Sequence, residues 1–263
     1  MQIVQPEKIV SLIPPDSLLF FGGFQTNRAP LGLAKLLADS GHKYRLISLP
    51  NPLPLAILLK TASLTATHIC FNGLQLGDGF IIPPAYRKAV EQSQLNWHES
   101  DAYEIIQGLR ATGMGVPFLP APALEASDFP QANQTKSVLD PYTGQEVLVV
   151  PAIQPDFALL HVQKADRQGN LWIADPLYDE LAISSAKQVI ISCEELVDRI
   201  EQPTIPGLQI DYLFELPHGA WPSACQGYYA QDEPAIRQIP VSYTHLRAHE
   251  TVLELVCRLL LEK

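Results

Sequence analysis

Short apolar runs alternate with helix-spaced apolar positions through the first half of this chain. Residues 18–21 read as a buried strand and 31–37, ending near Gly41, as a helix. Residues 44–49 then read as a strand, 55–61 as a short helix and 67–71 as a strand. A helix opens at 84–91, followed by a strand at 95–98 and a helix at 102–111. This alternation predicts a parallel sheet covered by helices, with its binding crevice at the carboxyl ends of the strands. The second half has a different rhythm. Residues 138–139 and 146–150 flank Asp140-Pro141-Tyr142-Thr143-Gly144, which reads as a hairpin. Residues 157–162 and 170–173 bracket a polar turn, and 179–186 read as a helix. A strand at 188–192, a helix at 194–200 and a strand at 210–216 complete the reading.

The stretch FFGGFQTNRAP, residues 20–30, carries the most chemistry. A strand stops at Gly22 and Gly23, a polar loop presents Asn27 and Arg28, and Pro30 opens a helix. Glycine lets backbone turn with positive φ and approach a ligand closely. The helix start offers free N–H groups and the positive end of its dipole. Such a loop suits a phosphate, a carboxylate or an acyl oxyanion. A tight β–α turn also uses glycine for purely structural reasons. The run is neither a dinucleotide fingerprint nor a phosphate loop ending in Gly-Lys-Ser/Thr. Arg28 is the unusual residue, because an arginine in such a place is expected to face an anion.

Composition narrows the setting. The chain has 263 residues, 47% of them hydrophobic, so it can bury a large core. Only 17% are charged, below the roughly 25% of ordinary domains, which hints at burial against another protein. The net charge of −10 argues against nucleic acid or an anionic membrane as partner. An anionic ligand must then be held by local donors. Cys70, Cys193, Cys225 and Cys257 are scattered without zinc-like spacing, so no metal is expected, and a reducing, cytoplasmic setting fits. No signal peptide is evident, and no apolar run is long enough to span a bilayer.

Other constellations each have a plain reading beside a functional one. Glu99-Ser100-Asp101 precedes a helix and reads as an N-cap, or with Glu99 as an acid/base at a strand end. Gly113 and Gly115 form a helix terminator or a second loop approaching a ligand. The loop 71–79 follows a strand and could line the same crevice. His161 reads as a satisfied core or interface histidine, and His218, Trp221, Tyr228 and Tyr229 as an interface patch. Residues 241–263 look discordant with the rest and resemble a vector or adapter read-through. The expected division is a domain over 1–240 and a non-native-looking tail over 241–263.

Five segments in order carry a resemblance. They are GGF-x-x-NR-x-P at 22–30, GLRATGMGVPFLP at 108–120, DPYTGQ at 140–145, VPAIQPDFALLHVQKADRQGN at 150–170 and LPHGAWPSACQGYY at 216–229. Through them the chain resembles the α (A) subunit of class I coenzyme A-transferases, in the glutaconate CoA-transferase branch, from about Val10 to Asp232. The resemblance implies an α/β fold of the CoA-transferase and ribose-phosphate isomerase type, with a parallel-rich sheet covered by helices and an added hairpin-containing region. It implies a hetero-oligomer with a β subunit, active at the interface between the two on an acyl-CoA and a carboxylic acid. Coenzyme A is then a co-substrate, with no permanently bound cofactor. In the family a β-subunit glutamate, in a Glu-x-Gly motif, becomes a glutamyl-CoA thioester. No Glu-x-Gly occurs in this chain, so alone it is expected to be inactive. The resemblance gives Gly22, Gly23, Phe24, Asn27 and Arg28, with Gly113 and Gly115, the task of shaping the acyl and CoA pocket. The wider signature has glycine where Arg28 stands. Two alternatives stay open: a related hydrolase opening rings of steroid-derived CoA thioesters, with Glu99 as acid/base, and a non-catalytic ligand-binding module.

Overall fold

A computed structural model describes residues 1–70, 73–77 and 79–242, the last three by backbone alone. Strands β1 (Gln2–Ile3) and β2 (Leu18–Phe21) flank helix α1 (Ile9–Leu12). Helix α2 (Leu31–Asp39), β3 (Tyr44–Ser48), α3 (Pro52–Lys60) and β4 (Leu64–Ile69) follow. A two-stranded ribbon, β5 (Leu74–Leu76) and β6 (Gly79–Ile81), leads to α4 (Pro84–Glu91), β7 (Asn96–Glu99) and α5 (Ala102–Gly113). Next come β8 (Phe118–Pro120), α6 (Phe129–Ala132), β9 (Lys136–Leu139) and β10 (Glu146–Pro151). The chain ends with β11 (Phe157–Asp166), β12 (Leu171–Trp172), α7 (Asp179–Ser185), β13 (Gln188–Val197), β14 (Tyr212–Glu215) and α8 (Glu233–Ser242).

The main sheet has nine strands in the order β1-β14-β13-β11-β2-β3-β4-β7, with β12 antiparallel on β11. Every pairing along that order is parallel. From β2 the chain builds outward to β7; from β11 it builds the other way to β14. The order therefore reverses between β2 and β11, and the Gly22–Arg28 loop leaves β2 at that point. Successive strand residues face opposite ways. Leu19, Phe21, Phe157, Leu159, Ile190 and Phe214 join one core with α2, α3 and α8. Phe20, Ala158, Leu160, Ile191 and Leu213 join a second with α5 and α7. Strands buried on both faces explain why the sequence shows continuous apolar runs rather than alternation.

The predicted hairpin forms a separate antiparallel sheet, β8-β10-β9. Its turn is fixed by Asp140, whose carboxylate accepts from the Tyr142 N–H at 2.9 Å and the Thr143 hydroxyl at 2.6 Å. One element differs from expectation. Residues 194–197 are not helical but extend β13, paired to β11 through Lys164↔Glu195, Ala165↔Leu196 and Asp166↔Val197. The helix-favouring Glu-Glu-Leu run is overridden by this long-range pairing, since local propensity is a weak preference. Helix α8 runs across residue 240. The rest of the expected tail, 243–263, lies outside the described residues.

Candidate functional site at the strand-order reversal

The loop after β2 is held from every side. The Gly22 N–H donates to Leu159 O at 2.9 Å, extending the ladder, and Asn51 Nδ2 donates to Gly22 O at 2.6 Å. Residues 24–27 close a reverse turn through Phe24 N–Asn27 O (2.9 Å) and Asn27 N–Phe24 O (2.8 Å). Gly23 has φ +78°, and a Cβ there would collide with the Arg28 carbonyl oxygen. Gly23→Ala should cost roughly 1–3 kcal/mol, combining overpacking with left-handed strain. Urea unfolding of the variant checks this; an unchanged midpoint would contradict the turn. The Phe24 ring lies 6.3 Å from that of Tyr178, centroid to centroid.

Arg28 is 1% exposed, and every N–H of its guanidinium is engaged by the chain itself. Nε donates to Asp175 Oδ1 at 2.8 Å, and the two terminal nitrogens meet Asp179 Oδ1 and Oδ2 at 3.0 and 2.9 Å. The carbonyls of His161 and Asp175 take the other two N–H groups, at 3.2 and 3.0 Å. Burial alone would lower the guanidinium pKa, but Asp179 and Asp175 outweigh it and raise it. Asn27 Nδ2 also donates to Asp175. The anion expected beside Arg28 is thus a pair of internal carboxylates. The residue adopts φ +49°, a conformation that favours glycine.

A second buried network lies beside it, on β11 and β13. His161 is fully buried; its Nδ1 lies 2.9 Å from Ser192 Oγ and its Nε2 2.7 Å from Glu194 Oε1. The Tyr229 hydroxyl donates to the same Glu194 oxygen, and the His218 N–H donates to the other at 2.7 Å. The rings of His218 and Tyr229 stack at 4.9 Å. Burial would raise the Glu194 carboxyl, yet His161, Tyr229 and the His218 N–H together hold it below its ordinary value. These partners tie the 217–229 loop to the sheet. His161 is the satisfied core histidine of the plain reading, while His218 and Tyr229 form part of an internal clamp.

The outer strands place Glu99 at the carboxyl end of β7, exposed, three strands away from β2. Beneath it Asp101 caps α5 by accepting the Tyr103 N–H at 2.7 Å. His68 and His98 pair across β4 and β7, and Glu104 of α5 lies beside them. Burial and the neighbouring His98 pull the His68 imidazole down to about 4. Gly113 and Gly115 are not part of this edge. They end α5, whose start is at the carboxyl edge and whose far end is about 18 Å away at 1.5 Å per residue. Gly115 N–Thr112 O and Val116 N–Ala111 O, both 2.9 Å, with φ +69° at Gly115, make a helix terminator. An open hollow of about 390 Å³ at the amino edge is lined by Asp16, Asp156 and Lys187 among others, and these charges pair with one another and with Arg45.

A family model described as coenzyme A transferase matches residues 3–216. The chain belongs to the coenzyme A transferase family. Coenzyme A is a substrate of that family. This coenzyme A transferase chain is 34% identical to the A subunit of the 3-oxoadipate CoA-transferase of Pseudomonas knackmussii over 156 residues, 56% of this chain and 55% of that protein. It is 26% identical to the cholesterol ring-cleaving hydrolase IpdA subunit of Rhodococcus jostii over 230 residues, 81% and 77% of the two chains. The crystal structure of a variant of the decarboxylase AibA/AibB superposes with a TM-score of 0.89 at 39% identity, covering 92% of this chain and 94% of that one. Glutaconate coenzyme A-transferase from Acidaminococcus fermentans shares the fold, with a TM-score of 0.82 at 22% identity over 90% and 82%. The chain spans about half the length of several curated relatives it matches.

Within the coenzyme A transferase chain the three described cysteines are free and buried, their thiols pushed up to about 12 chiefly by burial. Among the described residues no helix is long and apolar enough to cross a membrane. The Arg28–Asp175–Asp179 and His161–Glu194–Tyr229 networks escaped sequence reasoning. Arg28 lies 147 and 151 residues from Asp175 and Asp179, and Glu194 lies 33 and 35 residues from His161 and Tyr229; only the β2-β11-β13 neighbourhood joins them. The buried-looking acids Asp175 and Asp179, in a helix-opening ADPLYDE run, were the one available hint.

Proposed function

We propose that the chain is the α (A) subunit of a heteromeric enzyme that moves coenzyme A between an acyl-CoA and a carboxylic acid, with the nucleophilic glutamate supplied by a β subunit. The observation that carries this reading is the state of the acids at the crevice. Asp175 and Asp179 are held by Arg28, and Glu194 by His161, Tyr229 and the His218 N–H. A nucleophile attacks with an unengaged oxygen, and both oxygens of each of these three carboxylates already accept a hydrogen bond. What the loop does offer is backbone. Among the described residues the Gly23 and Thr26 N–H groups have no partner, whereas those of Gly22, Phe24, Gln25, Asn27 and Arg28 do. Preset N–H groups at a chain reversal suit a developing oxyanion. Two of the relatives are named as one lettered member of a multi-chain enzyme, which supports a second chain here. The test is co-expression with a β subunit of the family that carries the Glu-x-Gly glutamate. The complex should exchange CoA between acids with ping-pong kinetics and a hydroxylamine-sensitive intermediate on the partner, and the isolated chain should do neither. Exchange by the chain alone, or none by the complex across an acyl-CoA panel, rejects the proposal.

A second reading has its own observation. Glu99 is exposed at a carboxyl strand end, and among the described residues no hydrogen bond or ion pair reaches its carboxylate. An unengaged acid is what ring opening or decarboxylation of a CoA thioester would use as acid/base, and the hydrolase and decarboxylase relatives keep that chemistry in view. Under this reading Glu99→Gln lowers turnover of the assembled complex by about 10²–10⁴-fold. Under the transferase reading the same variant leaves CoA exchange intact, so one substitution separates the two.

A further inference from the structure

The sequence offers no metal motif, yet the sheet assembles a set of metal-ligand side chains. His68 and His98 are register partners on β4 and β7, so both side chains leave the same face of the sheet. Their rings meet edge to face at 4.6 Å. Glu104, in the first turn of α5, closes the group, with Oε1 4.0 Å from His98 Nε2. One ring nitrogen of each histidine and one Glu104 oxygen lie within 4.8 Å of one another.

From this arrangement we infer that His68, His98 and Glu104 form a binding site for a divalent first-row transition metal, Zn²⁺ foremost. Two imidazoles and a carboxylate are a donor set that zinc takes with a fourth position open to water. Donors about 2.0–2.1 Å from a tetrahedral ion stand about 3.3 Å apart. The contraction required is small, and His98, with a side chain 46% exposed, is free to make it. With Nδ1 of His68 as its ligand atom, outer partners are already in place. Ser100 Oγ lies 2.5 Å from His68 Nε2, and Asn133 Nδ2 donates to Glu104 Oε2 at 3.3 Å. Such contacts orient metal ligands and are part of a working site. The positive helix end of α5 opposes a cation here, but Glu104 sits in that same turn and supplies the negative charge. The exposed His98 leaves an entry path. The other grouping, His161, Glu194 and Cys225, has none, because all three residues are buried and its His161–Glu194 pair is closed by Ser192 and Tyr229.

The inference does not depend on the transferase reading, and its test needs no turnover. The full chain is stripped with a chelator and titrated with Zn²⁺ by calorimetry and with Co²⁺ by absorption. One equivalent should bind, and Zn²⁺ should raise the thermal midpoint. His98→Ala and Glu104→Gln should each weaken binding by more than the ~10–100-fold typical of an outer partner, and Asn133→Ala by about that amount. His98 is exposed and Glu104→Gln keeps the side chain's shape, so both variants should retain the metal-free midpoint. A background carrying His245→Ala, His249→Ala and Cys257→Ser should bind like the parent. No stoichiometric binding, binding unchanged in both His98→Ala and Glu104→Gln, or binding lost with Cys225→Ser or with the tail substitutions each overturns the site.

Discussion

Arg28→Ala should cost about 3–5 kcal/mol of folding stability, because it strands one buried and one part-buried carboxylate that have no other cation among the described residues. For a chain of this size that is a fall of roughly 6–20 °C in Tm. The side chain of Asp179 is 1% exposed and that of Asp175 19%, so water can relieve the second far better than the first. Arg28→Lys should recover only part of the loss, since one ammonium cannot reproduce the paired contacts to both Asp179 oxygens. Arg28→Gly relieves the φ +49° backbone but still leaves the charges unpaired. Adding Asp179→Asn to either variant should return stability, and the double-mutant cycle isolates the coupling. Guanidinium unfolding supplies all of these numbers. The experiment also decides between two roles for the residue. An arginine reserved for an anionic ligand would show weaker acyl-CoA affinity on substitution with stability nearly unchanged; a loss below about 1 kcal/mol would move Arg28 into that role.

How far the sequence reached can be seen at particular residues. Strand 18–21 and helix 84–91 were legible to the residue, because a glycine pair ends the first and a proline opens the second. Strand 67–71 was placed about three residues late, since Ser63 and Thr65 dilute the apolar signal of a strand that begins at Leu64. The ribbon of β5 and β6 was not seen, as three-residue strands are too short to show a period. The extension of β13 was misread because its cause is the partner strand 31 residues away, not its own residues. The same logic governs the site. The backbone of the Gly22–Arg28 loop could be read from local chemistry. The meaning of Arg28 could not, because Asp175 and Asp179 reach it only after β11 has been laid beside β2. His68 and His98 look like isolated histidines until a parallel register sets them side by side.

Glu194→Ala should be the next most damaging change, at roughly 3–5 kcal/mol. It leaves the Tyr229 hydroxyl, the His218 N–H and His161 Nε2 without their shared acceptor, and it detaches the 217–229 loop that also receives Arg28 N–H at Ala224 O, 2.8 Å away. Glu194→Gln should cost much less. Its carbonyl oxygen can serve the His218 N–H, while its amide can donate to Tyr229 and to His161 once their protons reorient, with Ser192 accepting from His161 Nδ1. The two variants also part company in acid. In the folded chain Glu194 is ionised at pH values where the unfolded chain still holds its proton, so the unfolded state binds more protons and stability rises with pH across that window. The contribution is complete above the ordinary carboxyl value near 4.5 and is lost as the pH falls through the folded value below it. Glu194→Gln removes that titration, so its unfolding free energy should fall less steeply than the parent's below about pH 4.5. Parallel acid limbs for the parent and the glutamine variant would mean that the carboxylate gains nothing from its three donors, and the clamp would then rest on packing alone.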